Sequence, residues 1–278
     1  MKNNKVGFQG TIGAHSDLAC RKAYPYMEGV AYPTFEAVFD AVENDEVEIG
    51  MIPIENSYAG RVAEVHNILA HTGLHIVGEY FLRIEHHLLG IKGAKLEDIK
   101  TATSHPQALM QCRKTLKDLG ISTQESMNTA LAAKALAGSD DKTKAALASE
   151  LAAEVYGLEI LKRNAEDHPT NQTIFIALSK EPIDIEPASN VVTTLIFTIR
   201  NIPAALYKSL GGFATNNVNM LKLESYIPGG TSDMADFYIS FQGHPDERPV
   251  QLALEELGFF TRKIKLLGVY EGDVERFK

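Results

Sequence analysis

The sequence predicts an α/β protein that closes with a small α+β unit. Three features carry that reading: strand-like and helix-like segments alternate over the first two thirds of the chain, KEPIDIEPASN at 180–190 interrupts them with two prolines and several acids, and the last ninety or so residues follow a β-α-β-β-α-β pattern. VGFQG (6–10) and GVAYPTF (29–35) read as strands, each followed by a helix, over 16–27 and 36–48, the second with apolar residues at helical spacing. EIGMIPIENS (48–57) is an apolar run that ends in polar residues. A helix over 59–73 stops at Gly73, and LHIVGEYFLRIEHHLLGI (74–91) reads as one long strand or two adjacent ones. DIKTATSH precedes a helix over 106–120, ISTQESMN precedes one over 129–138, and AALASELAAEVYGL (145–158) reads as a small-residue helix of period near 3.6. TNQTIFIALSK (170–180) returns to strand character before the break. Beyond it, VVTTLIFTIR, VNMLKLESYI, DMADFYISFQG and KIKLLGVYEG read as strands, with helices in PAALYKSLGGFATN and ERPVQLALEELGFF. Four antiparallel strands then carry two helices on one face.

A formal charge of −9 and the lack of any Lys/Arg cluster argue against nucleic acid as a partner. The expected ligands are small. Cys20 and Cys112 stand too far apart in sequence for a metal pattern or a disulfide framework, so a reducing compartment is expected. MKNNKVGFQG has no apolar run after its lysines and no stretch reaches membrane-spanning length, so neither export nor a membrane partner is expected and the cytoplasm is the predicted location. His66 and His71 are five apart and His86 and His87 adjacent, which builds no metal site. Gly7, Gly10 and Gly13 only weakly match a dinucleotide fingerprint. No metal and no cofactor are expected.

In open α/β sheets ligands gather beyond the carboxyl ends of the strands, where helix N-termini present unpaired N–H groups. PIENS (53–57), TSHPQAL (103–109) and SMNTALA (126–132) sit at such ends, with Ser104, His105 and Thr129 placed to cap helices. A local capping role accounts for any one of them, whereas several together point to a shared anion pocket. Beside Ile52, Pro53 and Ile54, the Glu55 carboxylate is expected to be partly desolvated, which moves it toward proton-donor range; a salt bridge or a cap is the alternative. If TNQTIF is a strand, Thr173 and Phe175 share one face and Ile174 takes the other. Thr173 is then either a directed hydrogen-bond donor in a dry pocket or a surface residue of an edge strand.

PIENSYAGRV (53–62) resembles the PIENSxxGxV segment of the prephenate dehydratases, which in many bacteria carry a regulatory ACT domain. SHPQALMQC (104–112) is similar to that family's SHPQALxQC, and AALASELAAEVYGLEIL followed by Asp167, Asn171, Thr173 and Phe175 runs in the family's order. The resemblance spans nearly the whole chain. It implies a catalytic domain at 1–182 made of two α/β lobes, similar to type II periplasmic binding proteins, with about 1–76 and 166–182 in one lobe and 77–165 in the other. A ferredoxin-like ACT domain at 190–278 follows. The implied reaction turns prephenate into phenylpyruvate, water and carbon dioxide in phenylalanine biosynthesis, by a cytoplasmic homodimer or homotetramer. Arogenate dehydration is the near alternative; a noncatalytic amino-acid sensor is the distant one, disfavoured by PIENS and Thr173.

The family's Thr-Arg-Phe threonine maps onto Thr173 as donor to the leaving hydroxyl; beyond the resemblance, we expect Thr173 to work in a relay with Glu55 as a catalytic partner or with His105. Asn56, Ser57, Ser104, His105, Gln107, Thr129 and Asn171 are the implied substrate contacts. Ile174 stands where the family has arginine: either a carboxylate clamp is lost, or Ile174 faces away from Thr173 and packs while His15, Arg21 or helix N-termini hold the anion. In the C-terminal unit, NIPAALYKSLGGF and NVNMLKLES resemble ACT segments, which implies L-phenylalanine contacts at Ala204, Ala205, Leu206, Asn219, Met220 and Glu224. Ala204 replaces a family glycine, and Tyr226-Ile227 replace Arg-Pro.

Overall fold

The structure, a computed structural model, describes residues 4–226 and 235–278. Strands β1 (Lys5–Gln9), β2 (Glu28–Tyr32) and β3 (Ile49–Asn56) lie parallel in the order β2-β1-β3, linked by helices α1 (His15–Ala23) and α2 (Phe35–Glu43). Thr34 starts α2 by accepting from the Ala37 N–H at 3.2 Å. A two-residue β4 (Gly60–Arg61) folds back on β3, α3 (Ala63–Leu69) follows, and β5 (His75–Arg83) completes the near side. Between β3 and β5 sits β11 (Gln172–Ser179), antiparallel to both, so a segment from far along the chain closes the first sheet.

The second lobe holds β6 (His87–Gly90), β7 (Thr101–Ser104), β8 (Ser122–Glu125), β9 (Lys144–Ala148) and β10 (Glu159–Lys162) in the order β10-β6-β9-β7-β8. Its helices are α4 (Pro106–Gln111), α5 (Arg113–Asp118), α6 (Thr129–Ala137) and α7 (Glu150–Tyr156). Two expectations are corrected here. The helix read over 145–158 starts only at Glu150, because Ala145–Ala148 are the buried central strand β9, whose small side chains let helices pack closely; Ser149 then caps α7 through the Ala152 N–H. The helix read over 106–120 breaks at Cys112, where the Asp167 carboxylate accepts from the N–H groups of Lys114 (2.8 Å) and Thr115 (2.9 Å) and starts a new helix.

The chain crosses between lobes at 84–86 and again at 163–171. The division expected near 76/77 falls inside β5, which pairs with β11 along its whole length and therefore belongs to the first lobe. The two crossings are stitched together by Ile84 N–H to Asn171 O (2.8 Å) and Ala165 N–H to His86 O (2.7 Å), so the back wall of the cleft is a short two-stranded hinge.

Residues 180–190 form no strand or helix. After them come β12 (Val191–Ile199), α8 (Ala205–Thr215), β13 (Met220–Tyr226), β14 (Asp236–Gln242), α9 (Arg248–Phe260) and β15 (Thr261–Glu271), in the all-antiparallel order β13-β14-β12-β15 of a ferredoxin-like unit. One sheet face packs Leu195, Phe197, Ile239 and Phe241 under α8 and α9. The opposite face, with Ile196, Tyr226, Tyr238 and Tyr270, shares an apolar core with Ile54, Leu69, Ile76 and Ile176 of the first lobe. Contact there is close enough to require glycine: a Cβ on Gly268 would stand 2.0 Å from the carbonyl oxygen of Ile76. Polar clamps flank this core, among them Arg276 Nη2 to Glu79 Oε2 (2.5 Å) and Lys265 Nζ to Leu69 O (2.8 Å). Ile227 lies outside the described residues.

Candidate active site

A cavity of about 340 Å³ opens between the two lobes, a size that suits a small metabolite. Thr173, Phe175, Asn171, Pro53 and Asn56 line it from the first sheet and the hinge; His105, Gln107, Gln111, Asn128 and Thr129 line it from the second lobe. The start of α1, with Ala14, His15 and Ser16, forms a further wall. The nine-residue helices α1 and α6 thus begin at the cavity from opposite lobes, and their N-terminal dipoles favour an anion between them. Asn128 caps α6 by accepting from the Leu131 N–H at 2.7 Å and reaches across to Thr11 Oγ1 at 3.2 Å.

The hydrogen-bond order within the site follows from the backbone outward. Asn56 Oδ1 accepts from the N–H groups of Tyr58 and Ala59, both at 3.0 Å, so the amide NH₂ of Asn56 must face the other way. It donates to Asn171 Oδ1 (2.8 Å) and to Thr173 Oγ1 (2.9 Å). Asn171 in turn donates to Gln111 Oε1 (2.9 Å), the same oxygen that His86 Nε2 reaches at 2.9 Å. Two consequences follow. Thr173 accepts from Asn56 and keeps its own hydroxyl hydrogen for the cavity, and Gln111, with its oxygen taken twice, has only its NH₂ left to offer.

His15 Nε2 donates to the carbonyl of Glu85 at 3.1 Å, and its ring meets that of His86 edge-on with centroids 5.3 Å apart. Burial, reinforced by the neighbouring imidazole of His86, lowers His15 to about 3; burial likewise lowers His86 to about 4. Both rings are therefore neutral near pH 7. Among the described residues no group of three or more His, Cys, Asp or Glu could hold a metal ion.

Of the residues expected at the site, Thr173, Asn56, Asn171, His105, Gln107 and Thr129 come together around the cavity. Three others do not line it. Ser104 is fully buried and donates to Leu147 O at 2.6 Å, a bond that ties β7 to β9. Ser57 donates to Thr170 O (3.3 Å) and accepts from the Gln172 N–H (3.0 Å), fastening the end of β3 to the start of β11. Glu55 turns to the opposite face of the sheet and ion-pairs with Lys222 of β13, so the expected partnership with Thr173 is absent. A bulge is the cause. Between the Ile174–Glu55 and Phe175–Pro53 pairs the register slips by one residue, which resets the side-chain alternation and leaves Pro53 and Asn56, not Pro53 and Glu55, on the cavity face. Ile174 shares the far face with Glu55 and packs on the core beneath the C-terminal sheet, as its packing reading expects.

Gln111, His86 and Arg61 line the cavity without having been singled out as substrate contacts; of the two side chains expected to hold the anion in place of a family arginine, His15 lines it and Arg21, ion-paired with Asp17 at 2.9 Å, does not. Gln111 was legible: four residues after Gln107, it lies on the same helical face. The others owe their places to tertiary folding. In the C-terminal unit Ala204, Asn219 and Met220 are exposed, and Glu224 lies 4.0 Å from Lys222. Ala204 adopts φ 60°, the left-handed conformation that a glycine at this position would favour. Ala205 is buried, and Leu206 is partly buried against the helix-covered core.

The family model for prephenate dehydratase matches residues 6–183. A bifunctional N-acyl-homoserine lactone acylase/prephenate dehydratase of Komagataeibacter europaeus is 43% identical over 274 residues, which cover 98% of both chains. The chloroplastic arogenate dehydratase/prephenate dehydratase 1 of Arabidopsis thaliana is 37% identical over 98% of this chain and 73% of its own length. Among solved structures, the prephenate dehydratase of Arthrobacter aurescens in complex with L-Phe superposes with a TM-score of 0.88 at 26% identity, covering 98% of this chain and 91% of that one.

Proposed function

The chain belongs to the prephenate dehydratase family, carbon–oxygen lyases of aromatic amino acid biosynthesis, and from that membership we propose that it converts prephenate to phenylpyruvate under control of L-phenylalanine. The observation that carries the chemistry is the hydroxyl of Thr173, whose oxygen accepts from Asn56 and whose hydrogen is left for the cavity. Prephenate is a dianion. As its C4–O bond breaks toward oxygen, the electron pair of the bond to the ring carboxylate enters the ring, carbon dioxide leaves and the ring becomes aromatic. The departing oxygen takes up one proton, supplied ultimately by water, and emerges as water. Aromatisation provides the driving force, so the protein's task is to orient the dianion and stabilise charge growing on the leaving oxygen. Thr173 is too weak an acid to yield its proton outright. It acts as a directed donor whose hydrogen bond strengthens as the C4–O bond lengthens.

Arogenate differs from prephenate only in an amino group on the side chain, and the plant relatives named for both substrates keep that reaction as the second reading. The N-acyl-homoserine lactone acylase activity in the name of the Komagataeibacter relative would, if run through an acyl-enzyme, call for a nucleophile paired with a base. Here the Thr173 hydroxyl is paired with an amide, the arrangement of a donor.

We take residues 1–182 as the catalytic domain and 190–278 as an ACT domain that binds L-phenylalanine between copies in a homodimer or homotetramer. The support is the ferredoxin-like topology and the L-Phe complex of the Arthrobacter protein. Effector and substrate then oppose one another's binding through the shared first-lobe core. The test is direct: purified protein is incubated with prephenate or arogenate, and phenylpyruvate or phenylalanine is followed. Prephenate should be consumed with phenylpyruvate appearing, and added L-phenylalanine should slow it. Prephenate left untouched overturns the reading.

A further inference from the structure

We propose that His86 is a positioning residue of the reaction: the N–H at its Nε2 fixes the side chain of Gln111 so that the Gln111 NH₂ is offered to the bound dianion. This rests on the dehydratase reading above. His86 belongs to the adjacent pair His86–His87, which builds no metal site among the described residues. The two rings have separate tasks, since His87 Nδ1 accepts from the Asn164 N–H at 3.1 Å while His86 lines the cavity.

The proton on His86 is located by backbone groups at the far end of a chain of amides. The N–H groups of Tyr58 and Ala59 both donate to Asn56 Oδ1, so Asn56 gives its NH₂ to Asn171 Oδ1 and Asn171 gives its NH₂ to Gln111 Oε1. The atom that His86 Nε2 meets at 2.9 Å is therefore an acceptor. A bare Nε2 would set two lone pairs against each other there. The proton would then sit on Nδ1, which is buried and has no partner among the described residues. With the proton on Nε2 the contact is a hydrogen bond, and only an unused lone pair is left at Nδ1.

Two anchors do what one cannot. The terminal torsion of a glutamine is broad, so an amide held by a single bond swings about it. Asn171 and His86 both donate to Gln111 Oε1, and together they fix the plane of the amide. The Gln111 NH₂ meets no protein acceptor among the described residues, and the cavity it borders is lined by no Asp or Glu. An anionic oxygen is the acceptor that such a donor lacks.

His86 is itself held firmly. Its N–H donates to Glu166 Oε2 (3.0 Å) and its carbonyl accepts from the Ala165 N–H (2.7 Å), which ties the first crossing between the lobes to the second. The residue is 3% exposed, and its ring meets that of His15 edge-on. Gln111 is tied to the second crossing as well, because its carbonyl accepts from the Asp167 N–H at 2.8 Å. The hinge thus carries both anchors of a second-lobe amide and keeps it in register with Thr173, which shares the Asn56 NH₂ with Asn171.

Two measurements on the full chain test the role. In the first, long-range proton–nitrogen NMR reads the tautomer of His86, whose signals are identified by their absence from the His86→Gln spectrum; at pH 7 the proton should sit on Nε2. In the second, KM and kcat on prephenate are measured for His86→Leu, His86→Asn and His86→Gln, with thermal melts as the folding control. Leucine has no donor, asparagine carries an amide too short to replace Nε2, and glutamine can bring one to that place. In His86→Leu and His86→Asn, kcat/KM should fall about 10–100-fold, the range for a misdirected hydrogen bond to a charged group. His86→Gln should return it to within about fivefold of wild type. Because His86 acts through Gln111, adding His86→Leu to Gln111→Met should lower kcat/KM by less than about twofold further. A proton on Nδ1, wild-type kcat/KM in His86→Leu, a folded His86→Gln no better than His86→Leu, or equal losses from His86→Leu with and without Gln111 overturns the assignment. The tautomer is read without substrate, so wild-type enzyme that leaves prephenate untouched defeats the dehydratase reading and is told apart from these failures.

Discussion

Replacing Thr173 with valine should lower kcat on prephenate by about 10²–10³-fold, the cost typical of removing one directed donor from a site of developing negative charge. Valine keeps the shape of threonine, and position 173 is only 8% exposed, so the buried packing changes little. The lost acceptor matters less to folding than the lost donor does to catalysis. Asn56 Nδ2 still has Asn171 Oδ1 at 2.8 Å and Gln172 O at 3.2 Å, which should hold the stability change to about 1 kcal/mol. Thr173→Ser restores the hydroxyl and should recover activity to within about tenfold of wild type. Steady-state rates on prephenate, with urea midpoints as the folding control, measure both; a valine variant within about threefold of wild type would remove Thr173 from the mechanism.

The second large effect concerns the residue that sets the direction of that hydroxyl. In Asn56→Asp, one carboxylate oxygen can still accept from the Tyr58 and Ala59 N–H groups, so the turn after β3 survives. The other oxygen replaces a donor with an acceptor, facing Thr173 Oγ1 and Asn171 Oδ1. The Thr173 hydroxyl then donates to the introduced carboxylate and no longer to substrate, while the new negative charge repels the dianion. Turnover should fall by about 10²-fold or more and KM should rise, since both a directed donor and electrostatic fit are lost. Protonating the introduced carboxyl group at low pH returns a donor and should recover part of the rate. Wild-type kcat in this variant across the pH range would show that the hydroxyl's orientation is immaterial.

How far the sequence exposes this arrangement differs from residue to residue. Period-two alternation correctly puts Thr173 and Phe175 on the cavity face and Ile174 on the other, because β11 keeps regular register around them. Glu55 is misplaced, because the bulge in β3 that turns its side chain away from the cavity is a product of pairing with a strand more than a hundred residues away. Polar residues at strand ends identify the cavity-lining His105, Gln107 and Thr129, yet composition alone does not separate them from Ser104, whose hydroxyl is turned into the sheet to meet Leu147. The alanine run at 145–148 reads as helix by propensity and becomes strand by burial between β6 and β7, a case of tertiary context outweighing local preference. The ferredoxin-like unit is legible because its four strands and two helices are long and cleanly patterned. Its docking on the first lobe, through Gly268 against Ile76 and Lys222 against Glu55, is not, since both contacts join segments far apart in sequence.

The central claim is geometric: the oxygen that leaves the substrate lies against the hydroxyl at position 173. A crystal structure of the Thr173→Val variant, soaked briefly with prephenate and flash-cooled before its slowed turnover consumes the ligand, tests it most directly. The C4 oxygen of the bound substrate should lie within about 4 Å of the residue 173 side chain, hydrogen-bond range for the native hydroxyl once restored, with the ring in the cleft between the lobes. Prephenate seated elsewhere, or in the cleft with its C4 oxygen turned away from residue 173, contradicts the account.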